Sequence, residues 1–446
     1  MAAGAGVEET MEKMVMGKVS RRLLPFICVL YIVAYLDRIN VGFAALQMNA
    51  DLGISASAFG LGSGIFFIGY FFFEIPSNLI LARVGARRWI ARILITWGIV
   101  ASAMMFVVGE KSLCALRFLL GVAEAGFFPG MVLYLTYWFP QRYLARNVAY
   151  FMASIAVAGI ISGPVSGFLL TMHGLWGLMG WQWLFLLEGL PAVVLGIVVL
   201  FRLTDSPRQA SWLADNERDW LARTLEKDAE SGRVNKESSL GTAFRSGRVW
   251  GLCLIYFSIV ISMYGVAIWI PLIVKGMMNL SDLWVGMVST LPYIAATLCM
   301  VAVGIRSDRR SERRFHLALP ILVGGASLVA SSVCDSPNGG LLLLCLIAAG
   351  IWGALGPFWA LSTSLLSGRG AAGGIALINS MGNLGGFAGP LVMGTVKDLT
   401  GSYSLGFLSL GVILMAGSFL AMLLKAGKPC DIPGVAPETA NLRGSV

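Results

Sequence analysis

Twelve stretches of about 20 mostly apolar residues run along this chain, each the length that an α-helix needs to cross the hydrocarbon core of a bilayer. By that criterion the spans cover 22–44, 57–81, 88–108, 112–136, 147–171, 181–202, 249–275, 283–305, 315–334, 341–363, 371–395 and 403–425. No backbone group can be left unpaired in lipid, so such segments have to be helices. The 446 residues would suffice for two or three soluble domains, but 57% are hydrophobic and 13% charged, against roughly 25% charged in soluble proteins. A soluble fold is excluded. The 54 glycines read as sites of close helix packing rather than disorder, because long Leu, Ile, Val and Phe runs surround them. The fold expected is an all-α membrane protein of twelve transmembrane helices in two six-helix bundles.

The distribution of cations sets the orientation. Of 33 Lys and Arg, 28 fall in the tails or the even-to-odd loops, Arg38 and Arg117 lie inside spans, and Lys111, Lys275 and Lys397 lie on the opposite side. The positive-inside rule then puts both termini of this multi-pass protein in the cytoplasm. This topology accounts for the net charge of +9, so no nucleic acid partner is implied. About twenty residues precede the first span without a small-residue cleavage site, which reads as a retained helix rather than a signal peptide. Seven scattered cysteines and two distant histidines, His173 and His316, suggest no disulfide framework, metal or cofactor. The sequence contains no P-loop, H-E-x-x-H or G-x-S-x-G, which argues against an ATP-driven pump or a membrane hydrolase; no catalytic residue is assigned.

Five segments follow: a tail at 1–21, a six-helix bundle at 22–202, a linker at 203–248, a second bundle at 249–425 and a tail at 426–446. In the linker, Trp212, Leu213, Trp220, Leu221 and Leu225 suggest a short amphipathic helix resting on the membrane surface or on the cytoplasmic ends of the spans. The two bundles repeat each other. Asn78–Arg87 after span two aligns with Gly304–Arg313 after span eight, and Gly163-Pro164 with Gly389-Pro390, both at a shift of 226. With six spans in each half, both halves enter from the same side, giving a parallel repeat.

Twelve spans, a parallel repeat and basic loops after spans two and eight resemble the major facilitator superfamily. The second loop keeps Gly304, Asp308 and Arg309 of that superfamily's motif; the first has Asn78 and Ala82 in place of its Gly and Asp but keeps Arg83, Gly85 and Arg87. The resemblance implies that these loops gate the cytoplasmic side. Five segments resemble the anion:cation symporter family more narrowly: Tyr35 to Gly42, Phe73 to Asn78, Arg117 to Gly126, Trp183 to Pro191 and Gly382 to Gly386. Within it the wording is similar to bacterial tartrate, phthalate and 4-hydroxyphenylacetate permeases. The implied activity is proton symport of a small organic acid, by a monomer.

Charge inside a span costs at least ~2.5 to 3.5 kcal/mol per residue, so each such residue needs a reason. Asp37, Arg38, Glu74, Arg117, Glu124 and Glu188 all lie in the first half; at the 226 shift Asp37, Arg38, Arg117 and Glu124 meet Met263, Tyr264, Leu343 and Gly350. That asymmetry favours function over structure. Arg38 lies six residues before Ala44 and Arg117 five after Ser112, so both are expected about 8 to 9 Å below the outer surface, facing one anion. Glu124, two turns on, is expected ~10 Å deeper. An Arg fork matches a carboxylate bidentately, whereas the bland alternative is pairing of the arginines with Asp37 and Glu124. Asp37 and Glu124 are the candidate proton carriers, with one or two protons per anion left open. Tyr35, Tyr70 and Asn383 are candidate substrate contacts through the resemblance to sugar-acid symporters. Tyr31 and Asn379 read as interhelical hydrogen bonds, and Glu74 and Glu188 as structural. Gly159, Gly163, Gly167, Gly385 and Gly389 read as close crossings. The main rival is a proton-driven exporter of metabolites or drugs, against which the facing arginines count; a membrane sensor is countered by the lack of a sizeable soluble output domain.

Overall fold

The computed structural model describes residues 2–233, 246–310, 312–365 and 371–424. The proposed tail at 426–446 and the linker stretch 234–245 lie outside them. Among the described residues, twelve helices are long and apolar enough to cross a membrane: Thr10–Leu52, Ala56–Val84, Ala86–Phe106, Glu110–Thr136, Gln141–Leu170, Gly180–Arg202, Gly247–Ala267, Asp282–Arg310, Arg314–Ser331, Pro337–Leu365, Gly374–Thr400 and Ser404–Leu423. These are spans one to twelve below.

Most ends agree with hydropathy to a few residues, but spans one, four and seven differ; span seven stops at Ala267, and a separate short helix, Ile270–Met278, carries the rest of its apolar run. Span one continues well past both limits of its apolar window, because Thr10–Arg21 and Ala45–Leu52 are good helix formers with partners at each end. Span four is broken: one helix stops at Glu124, Ala125 is extended, Gly126 takes a left-handed turn at φ 85°, and a second helix runs Phe127–Thr136. A side chain at Gly126 would lie 2.4 Å from Ser77 Oγ, so both the turn and its packing call for glycine.

The extended start of span one carries the linker. Lys18 pairs with Glu217, the Arg22 guanidinium lies 5.0 Å from the Trp212 ring, and Trp212 stacks on Trp138 at 5.5 Å. Leu213 and Leu221 are buried. The amphipathic helix, Asp215–Arg233, therefore rests on the ends of the spans, where its Trp and Leu side chains find protein rather than lipid.

The 226 repeat is visible as pseudo-two-fold contacts. A Cβ on Gly42 would meet Ile268 O at 2.3 Å, and 268 is 42 shifted by 226, so spans one and seven touch along the axis itself. Away from the axis the contacts come as mates: Gly163 of span five on Gly286 O of span eight at 2.2 Å, and Gly60 of span two on Pro390 O of span eleven at 2.4 Å. Only residues without side chains permit such backbone approach. These contacts lie toward the face opposite the linker, the far side, and polar bonds between the halves reinforce them. Gln47 Nε2 donates to Asp282 Oδ2 at 2.8 Å, and Asp398 accepts from the backbone of Ala56 and Ser57 at 3.1 and 2.7 Å, capping span two from the other half. The far side is sealed.

Candidate functional site

Arg38 sits on the pseudo-two-fold axis. Its Nη1 donates to Tyr264 Oη at 3.4 Å, and Tyr264 is its own mate in the repeat. Its Nη2 pairs with Glu124 of span four. The Arg38 side chain is 12% exposed and that of Glu124 1%, so the pair is buried midway between the bundles. Glu124 ends the first half of the broken span, and a cation at a helix C-terminus is favoured by the dipole. The carboxylate and the helix end thus hold Arg38 together.

This corrects the expected depths. Leu52 ends span one fourteen residues after Arg38, and Glu110 starts span four fourteen residues before Glu124, so Arg38 and Glu124 are level. Arg117 is seven residues nearer the far side, roughly 10 Å along the axis. Hydropathy ends span one at Ala44, since Gln47, Asn49 and Asp51 interrupt the apolar run beyond it. The guanidiniums still converge on one ring: Arg38 Cζ is 5.4 Å and Arg117 Cζ 5.1 Å from the Phe66 centroid. Arg117 is 1% exposed and has a long bond to Ser63 O at 3.4 Å; its Nε, like Arg38 Nε and Glu124 Oε2, is buried without a partner. A buried guanidinium with so little to bind is the arrangement that an incoming anion completes.

Tyr70 lies against Arg38, its ring 5.6 Å from Cζ, and buried Tyr35 has an unpartnered hydroxyl. Asn383 is brought elsewhere: it and Asn379 donate to Glu74 at 3.1 and 2.9 Å, a bridge from span eleven to span two across the halves. Glu74 therefore joins the bundles rather than capping freed backbone at Pro76. Tyr31 stacks on Phe151 at 4.4 Å. Asp37 faces away from Arg38, with Oδ1 accepting from Asn40 at 3.4 Å, toward Trp97 of span three and Glu188 of span six. Phe66 and Tyr264 escaped the sequence reading, although Tyr264 was findable as the repeat mate of Arg38.

Residues 27–390 match the Major Facilitator Superfamily. The chain belongs to that superfamily. A provisionally named tartrate transporter of Agrobacterium vitis is 47% identical over 96% of this chain and 98% of its own length, and a second from the same organism 46% over 98% and 96%. The quinolone resistance transporter of Acinetobacter baumannii is 41% identical over 93% and 95%. Among solved structures, a bacterial homologue of the human lysosomal transporter Spinster, inward-facing and unoccupied, superposes with TM-score 0.75 over 91% of this chain and 96% of that one, at 16% identity. The protein is a multi-pass membrane transporter, not an enzyme.

The superfamily loops hold to their own halves in this state. Gly85 turns at φ 97° between spans two and three, where Asp205, just past span six, accepts from Arg87 N at 2.7 Å. Asp205 occupies the space beside Gly85, supplying near this loop the acid that position 82 lacks. Arg83 is exposed. In the second loop Asp308 pairs with Arg313 at 2.5 Å, Ser307 Oγ donates to Glu312 O at 2.7 Å, Arg309 is exposed, and Gly304 has open space around it.

Proposed function

We propose that this transporter imports a small organic carboxylate, of the hydroxydicarboxylate kind exemplified by tartrate, together with protons, by rocking the two bundles about the axis on which Arg38 sits. One observation carries the reading: Arg38 is held by Glu124 while Arg117, beside it on Phe66, is buried with almost nothing to bind. A substrate carboxylate takes Arg117 and competes with Glu124 for Arg38. The displaced Glu124 then has no counter-charge and takes a proton, which couples the two cargoes. In this reading Tyr35, Tyr70 and, once released from Glu74, Asn383 meet substrate hydroxyls; the partnerless Tyr35 hydroxyl and the Tyr70 ring beside Arg38 support the first two. The names of the Agrobacterium relatives support the substrate class.

Asp37 is the second proton carrier in this reading. Transport occurs as a monomer in the inner membrane with both termini cytoplasmic, so the sealed far side is periplasmic and the loops bearing Arg83, Gly85, Arg87, Gly304, Asp308 and Arg309 close the cytoplasmic side when the bundles rock. The Acinetobacter relative favours a second reading, export. Quinolones also carry a carboxylate, so both readings use the same anion site and differ in direction. Proteoliposomes with an imposed pH gradient decide between them. Import predicts that labelled L-tartrate accumulates in an alkaline lumen; accumulation of a quinolone in an acidic lumen, with no tartrate uptake, would support the exporter.

A further inference from the structure

Spans three and six pack closely at Gly196, where a Cβ would lie 2.7 Å from Ile95 Cγ1. Toward the linker side a groove of about 280 Å³ opens between the same two helices, lined by Arg88, Arg92, Ile95 and Thr96 of span three and Leu200 of span six. Its walls change in kind along its length. Arg88, Arg92, Ile95 and Ile99 recur at spacings of four, three and four, so they share one stripe of span three, basic in the first two turns and apolar beyond them. Ile99, Ile197 and Leu200 are 56%, 48% and 38% exposed, which leaves this stripe and its neighbour on span six open to lipid.

Neither arginine is spent within the protein. Arg92 Cζ lies 3.8 Å from the centroid of the Trp89 ring, and Trp89 Nε1 donates to Ser77 Oγ at 3.0 Å, so span two fixes the platform on which the guanidinium rests. Arg92 Nε is buried without a partner. Among the described residues Arg88 and Arg92 have no carboxylate or carbonyl partner, and Asp205, the acid at this helix start, is engaged by Arg87, whose N donates at 2.7 Å and whose Nε lies 3.9 Å away. Cations this near a helix N-terminus also oppose its dipole. The repeat shows that packing does not require them. At the 226 shift Arg88 meets Arg314 and Arg92 meets Ala318, and Arg314 donates to Met422 O of span twelve, the mate of span six. The second bundle thus has one arginine with a protein acceptor where the first has two without.

We propose that this groove binds one anionic phospholipid, its headgroup phosphate between Arg88 and Arg92 and an acyl chain along Ile95, Ile99 and Ile197. A phosphate gives the guanidiniums the acceptors that the protein withholds. Basic pockets between membrane helices hold such headgroups, and the apolar stripe that continues from the arginines selects a lipid over free phosphate. The groove shares no residue with the Arg38 and Arg117 site, so the proposal is independent of the substrate reading.

The test is native mass spectrometry of the protein in neutral detergent, titrated with phosphatidylglycerol. The wild type should hold one phosphatidylglycerol more tightly than phosphatidylcholine with the same chains, whose choline adds a cation to a basic groove. Arg88→Gln and Arg92→Gln should each weaken phosphatidylglycerol about fivefold; Arg88 is exposed, so its variant carries the test should Arg92→Gln fail to fold. Arg306→Gln, which removes an exposed cation at the end of span eight, should leave that affinity unchanged, and a molar excess of inorganic phosphate should not displace the lipid. Equal affinity for the two lipids, or wild-type affinity in both groove variants, would overturn the proposal. So would an equal loss in Arg306→Gln, which would assign the effect to surface charge at large, or displacement by inorganic phosphate, which would make the groove a free-anion site.

Discussion

Replacing Glu124 with Gln isolates the competition at the centre of the site. Gln keeps the shape and hydrogen-bonding capacity of the protonated acid but carries no charge and releases no proton. In the wild type an entering carboxylate must take Arg38 from a partner that is 1% exposed, a charge-assisted bond worth about 1.5 to 3 kcal/mol. Removing that competitor should tighten L-tartrate binding by about ten- to a hundredfold at neutral pH. Lowering the pH should bring wild-type affinity up toward that of the variant, because protonation of Glu124 frees Arg38 in the same way, while the variant stays nearly flat. In proteoliposomes the accumulation slope should fall by one, since each coupled proton is worth 1.36 kcal/mol per pH unit. Calorimetry across pH reads the first effect and labelled uptake the second. Equal or weaker binding by the folded variant, with an unchanged slope, would refute the claim that Glu124 and substrate exchange places on Arg38.

Three further predictions concern other parts of the molecule. Arg117→Lys should lose L-tartrate binding by calorimetry while its thermal transition stays sharp, because an ammonium cannot match a carboxylate bidentately and leaves the Phe66 face; near-normal affinity would show that Arg117 clamps nothing. Gly163→Ala should lower the thermal midpoint and uptake together, because its methyl would meet Gly286 O at 2.2 Å and a backbone carbonyl has no alternative rotamer to adopt. On the linker, the bond from Lys18, aided by Ala214 N, holds the Glu217 carboxyl below its usual range. Its contribution is therefore complete above the ordinary carboxylate pKa and is lost only as pH falls through the depressed value in the folded state. Hydrogen exchange over 205–225 should stay slow at mildly acidic pH and rise below that range, and Glu217→Gln should abolish the transition.

The sequence by itself determined twelve spans, two repeated halves and the set of charged residues that matter, because each rests on local or periodic information. Insertion in lipid demands long apolar runs, duplication leaves a fixed offset of 226, and an intramembrane charge is visible wherever it occurs. The offset even predicts contacts on the axis, where Gly42 meets Ile268 and Arg38 meets Tyr264. What only the tertiary structure decided is which charges meet. Helix ends set relative depth, and hydropathy misplaced the end of span one by eight residues, from Ala44 to Leu52, enough to pair Arg38 in depth with Arg117 instead of Glu124. The break at Ala125 and Gly126, the commitment of Asn379 and Asn383 to Glu74, and the turning of Asp37 toward Asn40 and span three are equally invisible in one dimension. Each depends on which face of a helix meets which neighbour, and in lipid that choice is made by small residues and buried polar partners far apart in sequence rather than by an apolar stripe.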